Sequence, residues 1–184
     1  MGKRCLKRIR SATVSGFLLV LATGAVQAEQ AQPGPSTAPT GKPDLTCRVS
    51  AFVDSLQGAP IVDGQTINIV GGTRKVVYII YAKNAGAGRA PSSVTWDLQS
   101  IRKGSERVSE GSTRRVVPTL SPGEEVALPL SDITFRPGHT ILLKGTMDGP
   151  GEVSESKEDN NECTISFTGK RVSVDKPVSK ANPG

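Results

Sequence analysis

The sequence predicts an all-β chain folded as an antiparallel β-sandwich of about seven short strands. Three observations carry that prediction. Apolar residues recur with a period of two rather than 3.6, turn-forming clusters separate the alternating runs, and no stretch supports a long amphipathic helix.

In the first run, Leu45, Cys47, Val49, Ala51 and Val53 alternate with polar Thr46, Arg48 and Ser50. Residues 74–83, RKVVYIIYAK, are rich in β-branched and aromatic types and read as a central strand buried on both faces. Val94, Trp96 and Leu98 alternate with Thr95, Asp97 and Gln99, which places Trp96 on the core phase of a middle strand. A buried Trp there fills the sandwich centre rather than stacking on a sugar or cofactor. Val126, Leu128 and Leu130 form the next run, then Ile141 and Leu143, and finally Cys163, Ile165 and Phe167. Turns fall at 57–60, 71–72, 84–88, 121–123 and 136–138, all of them Gly-rich or Pro-containing.

The 184-residue chain has 23 Lys+Arg against 17 Asp+Glu, a net +6, which first suggests a nucleic-acid partner. The distribution removes that reading. Residues 1–28 have the three parts of a secretory signal: a basic head (Lys3, Arg4, Lys7, Arg8, Arg10), an apolar stretch from Val14 to Val26, and a cut after Ala28. The apolar stretch is too short to span about 30 Å of hydrocarbon, so no membrane span is expected after cleavage. Without those five basic residues, 18 cations face 17 anions and the mature chain is +1. The expected location is the periplasm or the exterior, with no nucleic acid as partner.

Residues 29–43, with four Pro and no large apolar side chain, read as a disordered linker. Residues 44–168 form the domain and 169–184 a flexible tail. Cys5 leaves with the signal, so Cys47 and Cys163 remain as an even pair in an oxidising compartment. Both lie on apolar phases, one in the first strand and one in the last, which predicts a disulfide with a stabilising role.

The ordered motifs Asp44-Leu45, Lys83-Asn84-Ala85-Gly86, Leu120-Ser121-Pro122-Gly123-Glu124 and Gly138-His139-Thr140 precede a turn, Val153-x-Glu155-x-x-Glu158-x-Asn160-Asn161. This set resembles the CARDB domain (cell-adhesion-related domain found in bacteria) over about residues 43–168. The resemblance implies an Ig-like, fibronectin-III-like sandwich used as an accessory module of exported proteins. The family has no known catalytic residues, so it implies fold better than function. The cysteine pair and a longer, more basic segment 101–117 depart from its pattern.

Two charged features are candidate sites. Between Asp148 and Glu162 six acidic residues and one Lys give −5, against +6 for the rest of the mature chain. Asp148, Glu152, Glu155, Glu158, Asp159, Asn160 and Asn161 offer the oxygen ligands that Ca²⁺ prefers, yet no D-x-[DN]-x-[DN]-G loop is present. Such side chains also cap backbone amides, which makes the segment a structural turn. No cofactor is expected apart from Ca²⁺ in that alternative. Arg102, Lys103, Arg107, Arg114 and Arg115 form a basic segment, read either as an anion-binding patch or as a solvated hairpin tip.

Catalysis has little to stand on. His139 is the only His, and no G-x-S-x-G, H-E-x-x-H or P-loop occurs. An unrecognised hydrolase would have to use a pocket at His139. The expected function is therefore a non-catalytic binding or adhesion module that presents loops or a sheet edge to an envelope protein or glycan. A Ca²⁺-stabilised structural module and a strand-accepting chaperone are the other readings.

Overall fold

A computed structural model describes residues 40–173. The expected signal, most of the linker and most of the tail lie outside those residues. The described chain contains nine strands and no helix: β1 (Leu45–Val53), β2 (Gln65–Ile69), β3 (Arg74–Asn84), β4 (Ser93–Lys103), β5 (Glu106–Val117), β6 (Glu125–Ala127), β7 (Ser131–Phe135), β8 (Thr140–Thr146) and β9 (Glu162–Arg171). No described helix is long and apolar enough to cross a membrane.

The strands form two sheets. In the first, β3 pairs with β1 on one side and with β6 and β7 on the other. In the second the order is β2-β9-β8-β4-β5. All pairs are antiparallel except β2–β9, which is parallel, so the sandwich is mixed at that edge. The 74–83 run is the central strand of its sheet, with Val76, Tyr78, Ile80 and Ala82 facing the other sheet, but it is not buried on both faces as its composition suggested: Lys75 and Lys83 are exposed on the outer side, and Ile79 and Tyr81 are only half-buried. Ile141, Leu143, Ile165 and Phe167 meet them, and Phe135 packs edge-on to Phe167 with centroids 5.5 Å apart. On the opposite face of β3, the Arg48 guanidinium lies 3.6 Å over the Tyr81 ring.

Three element and domain boundaries are corrected. Strand structure in the 126–130 run ends at Ala127, and Leu130 is 53% exposed. β9 continues three residues past 168, because Gly169, Lys170 and Arg171 pair with Ile67, Asn68 and Ile69 of β2. Pro43, assigned to the linker, is buried, and the carbonyl of Lys42 accepts from the Gly88 amide at 3.1 Å. That approach requires glycine at position 88, where a Cβ would stand 2.0 Å from the Gly41 carbonyl oxygen.

The largest correction concerns β4. Its polar phase faces the core: Asp97 and Thr95 are fully buried, whereas Trp96 is 42% exposed. The polar phase is stable inside because it is bonded. Both Asp97 carboxylate oxygens accept from the Tyr78 hydroxyl, at 2.8 and 2.9 Å. Asp97 Oδ2 also accepts from Arg115 Nε at 3.2 Å and Nη2 at 3.0 Å, and Ser131 completes the group. Burial pushes the Tyr78 phenol well above its ordinary value, so it stays a neutral donor. Outside, the turn at 147–150 folds over β4: the Gly149 amide donates to the Val94 carbonyl, and Val94 is only 8% exposed.

Candidate functional site

The cysteine pair forms a disulfide, with Cα atoms 5.5 Å apart across 116 residues. It links β1 of one sheet to β9 of the other. Immediately beside it lies the acidic segment. Its sequence reads as solvated, but two of its carboxylates turn inward: Asp148 and Glu155 are each 4% exposed.

Glu155 reaches the edge of β1. One of its oxygens accepts the Leu45 amide, and the other accepts Asn161 Nδ2 at 3.0 Å. Burial raises its carboxyl pKa, and the two donors partly oppose that shift. Asp148 Oδ2 accepts the Val153 amide at 2.8 Å, and Glu158 Oε1 accepts the Glu155 amide at 2.9 Å. Asn160 Nδ2 donates to Asp44 Oδ1 at 2.8 Å, and the Ser156 amide donates to the Pro43 carbonyl at 2.8 Å. Asn84, fully buried at the end of β3, holds the other side of this entry strand. Its Oδ1 accepts the Asp44 and Gly86 amides, and its Nδ2 donates to the carbonyls of Gly88 and Leu120. The acidic turn is thus a clasp that satisfies the Leu45 amide at the start of an edge strand and, with Asp148 and Glu158, its own backbone amides. The sequence motif at Asn84 marked the spot without revealing these partners.

The exposed members, Glu158, Asp159 and Glu162, line a cleft of about 470 Å³ together with Thr146, Asp148, Gly149, Pro150 and Asn161. Glu152 is exposed nearby. Asp148 Oδ1, Asn160 Oδ1 and Asn161 Oδ1 are buried without hydrogen-bond partners. Among the described residues, no group of three or more His, Cys, Asp or Glu is arranged to hold a metal ion. Trp96 stands beside the cleft: it pairs with Thr146 across the β4–β8 ladder and packs against Gly149, where a Cβ would be 2.1 Å from its Cδ1. Alternation in β4 predicted the opposite placement and so missed this aromatic surface.

The basic segment does not act as one patch. Arg102, Lys103 and Arg107 cluster at the tip of the β4–β5 hairpin, where Arg107 pairs with Glu110 at 3.3 Å. Arg114 sits along β5 opposite Trp96. Arg115 points into the core, onto Asp97. His139 lines a separate cleft of about 600 Å³ with Lys103, Glu106 and Arg136, and its Nδ1 has no partner.

No protein-family profile and no curated protein sequence matches the chain. Solved structures do. The chain is similar to CARDB domains. One is described as the CARDB domain of the PF1109 protein in complex with di-metal ions, from Pyrococcus furiosus, at 20% identity and a TM-score of 0.40; the match covers 71% of this chain and 96% of that one. A solution structure of the same domain matches at 19% identity and a TM-score of 0.40, over 70% and 96% of the two chains. The N-terminal domain of PorA matches at 18% and 0.31, over 66% and 97%.

Proposed function

We propose that this chain is an exported, non-catalytic binding module that presents Trp96 and the adjoining acidic cleft to a protein or glycan of the cell envelope. The half-exposed Trp96 carries the reading. A large aromatic ring packed against Gly149 loses little side-chain entropy on binding, and Trp dominates many interface energies. Loops between sandwich strands are the usual place for such recognition. The signal-like head and the Cys47–Cys163 disulfide support export, since disulfides persist in oxidising compartments.

The test is a comparison of Trp96→Ala with the unaltered protein in capture from envelope extract. The variant is expected to melt normally and to bind at least about tenfold more weakly. Equal capture by a folded variant would overturn the reading. Protease and glycosidase treatment of the extract separate the two partner classes.

A second reading stands on Asp148. Its side chain is buried at the cleft with Oδ1 unpartnered, and Asn161 Oδ1 is likewise unbonded, so a hard cation such as Ca²⁺ has oxygen ligands there. On this reading millimolar Ca²⁺ raises the melting temperature, and Asp148→Asn removes the response. An unchanged melting temperature rejects it.

A further inference from the structure

The cleft at His139 encloses about 600 Å³ and shares no residue with the acidic cleft. That volume lies in the range of small-molecule sites. Its lining is of two kinds. Ile101 of β4, Val108 of β5 and Phe135 of β7 supply apolar surface, drawn from both sheets. Val108 is there because of a bulge. Ile101 pairs with Ser109 and Arg102 with Arg107, so Val108 has no partner in the ladder. A bulged residue leaves the strict alternation of its strand, and this one turns into the cleft. It stays 47% exposed there, an apolar side chain that a ligand in the cleft covers.

The polar lining is cationic on balance. Lys103 and Arg136 are positive, Glu106 is negative, and His139 adds an imidazole. Lys103 stands opposite Glu106 in the ladder, yet among the described residues neither Lys103 nor Arg136 forms an ion pair. His139 Nδ1 is buried without a hydrogen-bond partner, a condition uncommon in native proteins away from sites that a ligand or ion completes. The turn between Arg136 and His139 is held from behind by β9. The Gly138 amide donates to the Gly169 carbonyl at 2.7 Å, and the Gly169 amide donates to the His139 carbonyl at 2.9 Å. A wall fixed in this way loses little backbone freedom when a ligand arrives.

We infer that this cleft binds a small amphiphilic anion, a single carboxylate joined to an apolar chain. The chain covers Val108 and lies along Ile101 and Phe135, and the carboxylate lies between Lys103 and Arg136. Guanidinium suits that group because its N–H donors can meet both oxygens. Two cations against Glu106 leave one net positive charge, which a monoanion balances. A polyanion gains nothing from the apolar lining, and its further charges face Glu106. The inference is independent of the partner proposed for Trp96, which lies toward the other end of β4.

Calorimetric titration of the full chain with sodium octanoate tests it, with acetate and octanol as the two halves of that probe. Octanoate is expected to bind with a dissociation constant of about 0.1–1 mM, and each half at least about tenfold more weakly. Lys103→Gln and Arg136→Gln each weaken octanoate about fivefold, whereas Glu106→Gln strengthens it about twofold. All three side chains are exposed, so these variants melt at the temperature of the unaltered protein. Arg107→Gln removes a cation of the same hairpin outside the cleft and leaves the affinity unchanged. No binding up to about 10 mM octanoate overturns the inference. An equal loss in Arg107→Gln also overturns it, because the attraction is then diffuse. Unchanged affinity in both Lys103→Gln and Arg136→Gln, or octanol binding as tightly as octanoate, does the same.

Discussion

Replacing Asp97 by Ala lowers the unfolding free energy by about 3–5 kcal/mol. Among the described residues the carboxylate is the one charged partner of Arg115, whose side chain is 13% exposed, and it is the acceptor for the Tyr78 hydroxyl. Removing it leaves a buried guanidinium without a counter-charge and a buried phenol without an acceptor, two penalties of different origin. Neither group can escape easily, since Arg115 is held on the inner face by the β4–β5 register and Tyr78 lies in the central strand. The measurement is the denaturant midpoint at constant slope. A companion variant separates the causes. Asp97→Leu combined with Arg115→Leu removes both charges and costs far less than Asp97→Ala alone, because well-packed apolar replacements of buried pairs are often nearly neutral. A loss under about 1 kcal/mol in Asp97→Ala would mean that water reaches the pair.

This network also shows where sequence patterning stops being informative. Alternation finds β1, β3, β8 and β9 because one side of each faces a continuous apolar layer. In β4 the same alternation is present with its sense reversed. Period two says that the faces differ; it does not say which face is covered. Here the polar face is inside because three other strands supply its partners, and the apolar face is covered in part by the 147–150 turn. β5 gives no apolar phase at all, since nearly every position from Glu106 to Arg114 is exposed. β2 and β7 are too short to establish a period.

The acidic turn shows a related limit. Its motif located the site to the residue, but local charge suggested a solvated surface. Glu155 is buried because Leu45 opens an edge strand with an unpaired amide, and that need exists only once β1 and the 153–161 segment are adjacent. The cysteines were easier to read. Two residues on apolar phases at opposite ends of one domain need only the closed sandwich to bring them together, and they bond as expected.

Their removal is the second large effect. The Cys47→Ala, Cys163→Ala double variant is expected to lose about 2–5 kcal/mol, the range for native disulfides closing long loops. The loss is not spread evenly over the fold. β1 pairs with β3 alone in its sheet, and its contacts with the opposite sheet are with β8 and β9, where the disulfide sits. Without the bridge, β1 depends on the β3 ladder, its own buried residues and the Glu155 clasp. Partial opening of β1 should then become easier than opening of β3. Hydrogen exchange reads this directly: amides of Cys47 to Val53 that bond β3 lose protection first, while the β8–β9 ladder keeps most of its own. A uniform fall across both sheets would mean that the bridge acts only on the unfolded ensemble, as the chain-entropy account requires. A local fall assigns it a second task, holding an edge strand in place beside the acidic cleft.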